Sequence, residues 1–228
     1  MVDPPANPLI VALDTSDVDG AADLAARLGG RVGMLKVGLE LFTAAGPASV
    51  ERIREHAAVF LDLKLHDIPT TVGRAARNAG RLAASMLTVH ALGGPDMVAA
   101  AVDGATGGAR DAGRPPPRVV AVTVLSSLAE AAGASPASLA FEALSAGAAG
   151  AVVSGDDVGV VREALGPDPV LVVPGIRPSG HAGNDHVRVL TPTEAMEKGA
   201  DYVVVGRPVT ESSDPASMAT SILQELGR

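Results

Sequence analysis

The stretch VFLDLKLHDIPTT, residues 59–71, begins as an apolar strand and ends in the first turn of a helix. Asp62 and Lys64 lie inside the strand-like half, two residues apart. Side chains of a strand alternate between its two faces, so both charges are expected on one face. Removing a charge from water costs several kcal/mol unless it is paired. The two residues are therefore either a structural ion pair or working groups of a site.

The rest of the chain repeats this order of apolar strand and helix. Strands are predicted at residues 9–13, 32–37, the first half of 59–71, 85–91, 118–125, 150–154, 169–174 and 201–205. Helices are predicted at residues 18–28, 47–56, from Pro69 onward, 95–105, 136–146, 156–165, 193–198 and 215–226, and the Gly/Pro-rich residues 104–117 are expected to be a surface loop. Strands without clean alternation indicate parallel strands buried on both faces. We therefore expect an α/β fold, the (β/α)₈ TIM barrel, in a single domain spanning residues 1–228. The competing doubly wound sheet lacks support because the first turn, LDTSDVDG, is not a glycine fingerprint.

The composition limits the classes of function. Hydrophobic residues make up 47% of the chain and charged residues 19%, which is enough apolar surface for a large core. A net charge of −8 and 2% aromatic residues argue against nucleic-acid binding. The absence of cysteine excludes disulfides and thiolate metal sites. The sequence has no signal-peptide pattern and no long apolar run, so we expect no membrane contact and a cytoplasmic protein.

Lysine is used sparingly. Only three of the 18 basic residues are lysines, and Lys36 and Lys64 lie within predicted strands. An interior ammonium can donate a proton, which a guanidinium does not do at neutral pH.

Polar residues fall where the predicted strands end, which is the active-site end of a barrel. Asp14, Lys36 and Ser126 join Asp62 and Lys64 there. Simpler interpretations exist, since Asp14 is also suited to capping the next helix and Lys36 to extending to the rim.

Asp67 lies just beyond the third strand. It is expected either to cap the following helix or to reach the rim of its own subunit or a neighbouring one. Opposite charges within about 4 to 6 Å favour the charged form of each group, so lysines and aspartates in alternation would offer a proton within a fixed negative field.

The ends of strands seven and eight are the usual phosphate site of a barrel. Arg177 lies after strand seven, and Gly206 and Arg207 follow strand eight. Arginine grips two oxygens of an anion, and glycine lets backbone N–H groups approach it. A salt bridge at the rim is the simpler interpretation of Arg207. The loop at 175–184 is a candidate lid. His66 and His90 are expected to be rim residues, and without an HxH or HExxH spacing no metal site is predicted.

These residues and their motifs resemble a known family. DLKLHDIPTT, with LKVG at Lys36, ALD at 12–14, PGIRP at 174–178 and VVGRPVT at 204–210, is similar to the bacterial orotidine 5′-phosphate decarboxylases over essentially the whole chain. The resemblance implies a homodimeric barrel that converts orotidine 5′-phosphate to UMP and CO₂ without a cofactor.

The resemblance also implies roles for individual residues. Lys36, Asp62, Lys64 and Asp67 would form a charged tetrad, with Lys64 as the proton donor to C6 and with Asp67 and Thr71 contributed to the partner's site. The other ligand contacts would be Asp14 and Lys36 to the ribose, Ser126 to the pyrimidine, and Arg177, Gly206 and Arg207 to the phosphate. The family commonly has Thr at Ser126 and Gln at His186. An imidazole has a shorter reach than that amide, which leaves the ring-to-phosphate contact of His186 open.

Two alternatives stay open. Related barrels, the 3-keto-L-gulonate 6-phosphate decarboxylases and hexulose-phosphate synthases, use Mg²⁺ and carry a metal-binding Glu where this chain has Lys36. A catalytically inactive barrel that binds a phosphate ligand is the second alternative.

Overall fold

Eight parallel strands close into a barrel in which each strand pairs with the next one along the chain. The computed structural model describes residues 5–123, 135–179 and 190–227. Pairing of the first strand with the eighth completes the closure. The strands are β1 (Leu9–Leu13), β2 (Met34–Gly38), β3 (Ala58–Leu65), β4 (Met86–His90), β5 (Arg118–Val122), β6 (Gly150–Val152), β7 (Val170–Val173) and β8 (Tyr202–Val205). The (β/α)₈ barrel expected from the sequence is confirmed.

Helices follow the strands and cover the barrel. They are α1 (Val18–Leu28), α2 (Leu39–Ala45), α3 (Pro47–Ile53), α4 (Pro69–Arg81), a 3₁₀ helix (Ala91–Gly93), α5 (Pro95–Asp111), α6 (Pro136–Ser145), α7 (Val158–Leu165), α8 (Pro192–Glu197), α9 (Arg207–Thr210) and α10 (Pro215–Glu225). Several begin with proline, whose fixed φ suits the first helical position. In the described residues, no helix combines the length and apolarity needed to cross a bilayer.

The strands are buried on both faces. One set of side chains fills the barrel interior and includes Ile10, Met34, Phe60 and Met86. The alternate set, including Leu35 and Leu61, packs against the surrounding helices. This double burial explains why the strands read as continuous apolar runs.

Helix α5 corrects one prediction. The helix was expected to end at about residue 105 and a loop to follow, yet the helix continues to Asp111. A Cβ on Gly104 would lie 2.1 Å from the backbone oxygen of Gly73, and one on Gly108 would lie 1.9 Å from that of Arg77. The glycines thus allow α4 and α5 to pack backbone to backbone, and this packing outweighs their low helix propensity.

Smaller differences concern element ends. Strand β2 begins at Met34, two residues later than predicted, and β6 ends at Val152. Helices α2 and α9 were not predicted, because each begins within two residues of the end of its strand.

Candidate active site

Strand alternation places charged side chains at one mouth of the barrel. In β1 the interior positions Ile10 and Ala12 lead to Asp14, which directly follows the strand. In β2 the interior residue Met34 is followed two positions later by Lys36, and in β3 Phe60 is followed by Asp62. The charges therefore form the layer above the apolar interior, at the carboxyl ends of adjacent strands.

These side chains form a continuous row of alternating charge, which we call the charged row: Asp14, Lys36, Asp62 and Lys64. Lys36 Nζ lies 2.8 Å from Asp14 Oδ1 and 3.7 Å from Asp62 Oδ2. Lys64 Nζ lies 2.9 Å from Asp62 Oδ1 and 2.8 Å from Oδ2. The side chains of Lys36 and Asp62 are only 12% and 11% exposed, so their interaction is weakly screened by solvent.

Two simpler interpretations are wrong. The cap of α1 is Asp17, whose carboxylate accepts from the backbone N–H groups of Asp19 and Gly20, so Asp14 is not the helix cap. Lys36 does not extend to solvent, because its ammonium is held between two carboxylates.

Lys64 reaches Asp62 through a bulge and not through regular pleating. Its φ is +48°, a left-handed conformation that is uncommon for a residue with a side chain. Pairing of β3 with β4 shifts register between Leu61 and Leu65. The same-face prediction for Asp62 and Lys64 was therefore correct in outcome, but the strand is irregular where the two residues meet.

Two neighbours of the charged row were not predicted. Thr88, fully buried in β4, accepts from the Lys64 backbone N–H at 2.8 Å and donates to Asp62 Oδ1 at 3.0 Å. A Cβ on Gly38 would lie 2.9 Å from Lys36 Nζ, so glycine leaves room for the Lys36–Asp14 pair. The sequence signal that could have identified these two residues is their position, since each lies on the interior face of its strand.

A cavity of about 150 Å³ lies beside the charged row. One wall carries Lys36, Asp62 and Lys64. The remaining lining is mostly apolar: Phe60, Val122, Val152, Val153, Ser154, Pro174 and Val204. Fixed charges beside an apolar wall interact more strongly than they would in water, which suits a site that stabilises charge developing during a reaction.

Asp67 and Thr71 lie on an exposed segment. Residues 66–71 are all exposed, and Ile68 is 66% exposed. Asp67 Oδ1 accepts from the Ile68 backbone N–H at 2.6 Å, and within the described part of the chain its carboxylate forms no ion pair with a lysine. Helix α4 has no side-chain cap, so the capping interpretation of Asp67 is wrong. One chain alone does not bring Asp67 to the charged row.

The candidate phosphate residues follow strands that border the cavity. Pro174 and Val204 line it, and Arg177 and Arg207 each come three residues later. The backbone N–H of Ile176 donates to the carbonyl of Val204 at 3.3 Å, which ties the loop after β7 to β8. Gly206 approaches β1, where a Cβ would lie 3.8 Å from that of Ala12. Among the described residues Arg207 has no carboxylate partner, so no rim salt bridge forms within that part of the chain.

The remaining predictions concern Ser126, His186, the candidate lid and the two rim histidines. Ser126, His186 and residues 180–184 of the candidate lid lie outside the described residues. His66 and His90 stack with ring centroids 5.1 Å apart. Burial, with the nearby charges of His66 and Lys64, lowers the pKa of His90. A neutral ring suits its contact, because His90 Nδ1 accepts from the Leu92 backbone N–H.

The described ranges contain no group of three His, Cys, Asp or Glu side chains placed to hold a metal ion. The cationic groups among the carboxylates are instead the ammoniums of Lys36 and Lys64.

Comparisons with known proteins identify the same family, and each match covers nearly the whole chain. The model of the family described as orotidine 5′-phosphate decarboxylase / HUMPS matches residues 7–222. A protein from Paramagnetospirillum magneticum named orotidine 5′-phosphate decarboxylase is 48% identical over 233 residues, covering 97% of this chain and 99% of its own. One of the same name from Anaeromyxobacter sp. is 49% identical with the same coverage. The crystal structure of orotidine 5′-phosphate decarboxylase from Lactobacillus acidophilus has a TM-score of 0.85 and 36% identity, covering 97% of this chain and 100% of its own. The chain belongs to the orotidine 5′-phosphate decarboxylase / HUMPS family.

Proposed function

We propose that the protein is an orotidine 5′-phosphate decarboxylase that forms UMP and CO₂ in pyrimidine biosynthesis without a cofactor. The observation that carries the proposal is the charged row beside an apolar cavity, in a chain whose relatives at 48–49% identity carry that name. Lysines in a row of this kind supply a proton, and a phosphate-bearing nucleotide provides an anion for the arginines beyond the cavity.

The reaction requires a proton at the carbon that loses CO₂. Cleavage of the bond between C6 and its carboxylate leaves an electron pair on C6. The Lys64 ammonium donates a proton to that carbon, which yields UMP, and the resulting amine regains a proton from water. Its side chain is 32% exposed, which gives water access. An ammonium directed at C6 stabilises charge that develops in the transition state, where stabilisation accelerates the reaction.

Asp62 faces the departing carboxylate in this scheme. Its contacts with the Lys36 and Lys64 ammoniums hold its carboxylate in place next to the substrate carboxylate. Repulsion between the two carboxylates would be relieved as CO₂ leaves.

The remaining contacts follow the order of the strands. Asp14 and Lys36 bind the ribose, and Arg177, Gly206 and Arg207 bind the phosphate. We assign Ser126 to the pyrimidine and His186 to the bridge between ring and phosphate. Binding energy from the phosphate, remote from C6, then helps to position the reacting ring.

A second subunit completes the proposed site. Asp67 and Thr71 lie on an exposed segment, and one chain leaves Asp67 apart from the lysines. We therefore propose a homodimer in which both residues enter the partner's site. We also propose that residues 1–228 form one domain, and the cytoplasmic location stays a prediction.

Lys36 favours this function over the Mg²⁺-dependent chemistry of related barrels. The family description names HUMPS proteins beside the orotidine 5′-phosphate decarboxylases, so the family match alone does not decide between activities. The Lys36 ammonium lies between the Asp14 and Asp62 carboxylates. A metal site would need a carboxylate at position 36, whereas the lysine charge there would repel the metal ion.

The test is release of CO₂ from orotidine 5′-phosphate by purified protein, measured with EDTA and with added Mg²⁺. Equal rates in both conditions are expected. Strict dependence on Mg²⁺ would support the metal-dependent alternative. Binding of UMP without release of CO₂ would indicate an inactive, ligand-binding barrel.

A further inference from the structure

We propose that Thr88 is a positioning residue for the decarboxylation, a role that rests on the function proposed above. Its hydroxyl accepts from the Lys64 backbone N–H at 2.8 Å and donates to Asp62 Oδ1 at 3.0 Å. One side chain on β4 thus contacts both residues of β3 that carry the proposed chemistry. Thr88 is fully buried and is not among the residues lining the cavity, so it acts through Lys64 and Asp62 and not on the substrate.

The register of the two strands shows why a side chain is needed at this point. From one backbone pairing to the next, β3 advances from Leu61 to Leu65, whereas β4 advances only from Leu87 to Val89. Thr88 is the β4 residue opposite the bulged segment. The N–H of Lys64 therefore bonds to the Thr88 hydroxyl in place of a ladder carbonyl.

The chemistry of a hydroxyl fits both contacts. It accepts from one donor while donating its own hydrogen to a carboxylate, which a methyl group cannot do. A backbone N–H that loses its acceptor favours rearrangement of the segment that carries it. Lys64 is already in a left-handed conformation, which persists only where its surroundings hold it.

Loss of the hydroxyl should therefore move the Lys64 ammonium relative to C6. The arginines that bind phosphate in the proposed function follow β7 and β8, across the barrel from β4. The expected defect is consequently in kcat, with little change in nucleotide affinity.

Three variants separate the hydroxyl from the methyl group. Thr88→Val keeps the shape and removes the hydroxyl, Thr88→Ser keeps the hydroxyl alone, and Thr88→Ala removes both. Thr123→Val is the matched control, because Thr123 is equally buried and donates to the Val152 carbonyl. Steady-state kinetics with orotidine 5′-phosphate, UMP dissociation constants and melting temperatures are measured for each.

We expect kcat to fall by about 10- to 100-fold in the Val and Ala variants, the range that a misplacement of about 1 Å produces. The KM and the UMP dissociation constant should stay close to wild type. Thr88→Ser and Thr123→Val should both turn over at nearly the wild-type rate.

Four results would overturn the role of Thr88. Wild-type kcat in the Val and Ala variants would show that the hydroxyl is dispensable while leaving the decarboxylase function intact. A serine variant as slow as the alanine variant would assign the effect to the methyl group. Failure of the Val and Ala variants to fold, with Ser folding normally, would make the hydroxyl structural. Wild-type protein that releases no CO₂ would remove the proposed function and this role together.

Discussion

At the scale of single residues, Lys64 has the central role in the proposed reaction, because it donates the proton to C6. Replacing Lys64 with alanine removes the proton donor but leaves Lys36 paired with Asp14 and Asp62. Because general acid catalysis contributes about 10² to 10⁴ in rate, kcat should fall by at least about 100-fold. UMP affinity, measured by calorimetry, should change little.

Lys198→Ala is the matched control, because Lys198 is exposed and lies at the end of α8. It should have wild-type kinetics. A mild effect of Lys64→Ala on kcat would remove Lys64 from the proton-donor role.

Gly38 provides a steric test of the Lys36–Asp14 pair. An alanine Cβ would lie 2.9 Å from Lys36 Nζ and 3.1 Å from Asp14 Oδ1, so the ammonium must move. The backbone at Gly38 has φ −93° and ψ −174°, which alanine adopts without strain. We expect Gly38→Ala to lower kcat/KM by about tenfold or more, because a small displacement in an active site is costly. Unchanged kcat/KM would mean that the position of the ammonium is not critical.

His90 should make stability dependent on pH. Burial, together with the charges of His66 and Lys64, lowers its pKa in the folded state below the usual 6.5. Below about pH 6.5 the unfolded chain therefore binds more protons than the folded chain. The contribution of neutral His90 to the free energy of unfolding is complete above that pH and is lost as the pH falls through the lowered pKa. The slope is at most about 1.4 kcal/mol per pH unit for one group.

Urea unfolding of wild type and His90→Asn at pH 7.5 and pH 5.5 measures the effect. Asparagine retains an acceptor for the Leu92 N–H but does not titrate. The variant should lose less free energy of unfolding on acidification than wild type, with His56→Asn as a control for loss of a histidine. Equal losses in wild type and His90→Asn would contradict the assignment.

The pattern of charged residues in the sequence predicted most of the charged row, but it did not predict the neighbouring residues Thr88 and Gly38. Lys36, Asp62 and Lys64 stood out because charges interrupt apolar runs. Thr88 interrupts its strand less conspicuously, and its role depends on the register of β3 against β4, which a single strand does not encode. Gly38 was missed because its importance lies in the space beside Lys36.

At the scale of elements, close packing of α4 and α5 is the main feature that local sequence did not predict. Gly104 and Gly108 lower the intrinsic helix propensity of α5 by roughly 1 kcal/mol each relative to alanine, which favoured a loop. Contact with the α4 backbone is possible only because these two glycines have no side chain. The strands were predicted because burial on both faces leaves a strong apolar signal, whereas helix packing leaves only small residues.

Gly104→Ala tests this packing. Its Cβ would meet the Gly73 backbone oxygen at 2.1 Å, so the helices must separate. Overpacking of this kind costs about 1 to 3 kcal/mol in free energy of unfolding. Gly159→Ala in α7 is the control, because nothing lies within 4 Å of its Cβ position, and it should be neutral or stabilising. Chemical denaturation of both variants measures the difference, and equal stabilities would argue against close packing.

At the scale of the whole molecule, the proposed site needs two chains. In the proposed dimer, the charged row would come from one subunit, and Asp67 and Thr71 would come from the other. The segment before α4 would then contribute Lys64 to one site and Asp67 to a second. A closed barrel explains the charged row, because adjacent strands end at one mouth of the barrel. The contribution of Asp67 and Thr71 would require a dimer.

Mixing the Lys64→Ala and Asp67→Ala variants, each expected to be inactive, distinguishes a site shared between subunits from one contained in a single chain. Lys64→Ala and Asp67→Ala dimers are combined under conditions of subunit exchange, and mass spectrometry verifies that mixed dimers form. In each mixed dimer one site regains Lys64 from one chain and Asp67 from the other, while the second site lacks both. With random exchange, half of the dimers are mixed and each has one intact site, so CO₂ release should reach about a quarter of wild-type activity. Activity that stays at the average of the two parents, despite verified mixed dimers, would contradict a site shared between subunits.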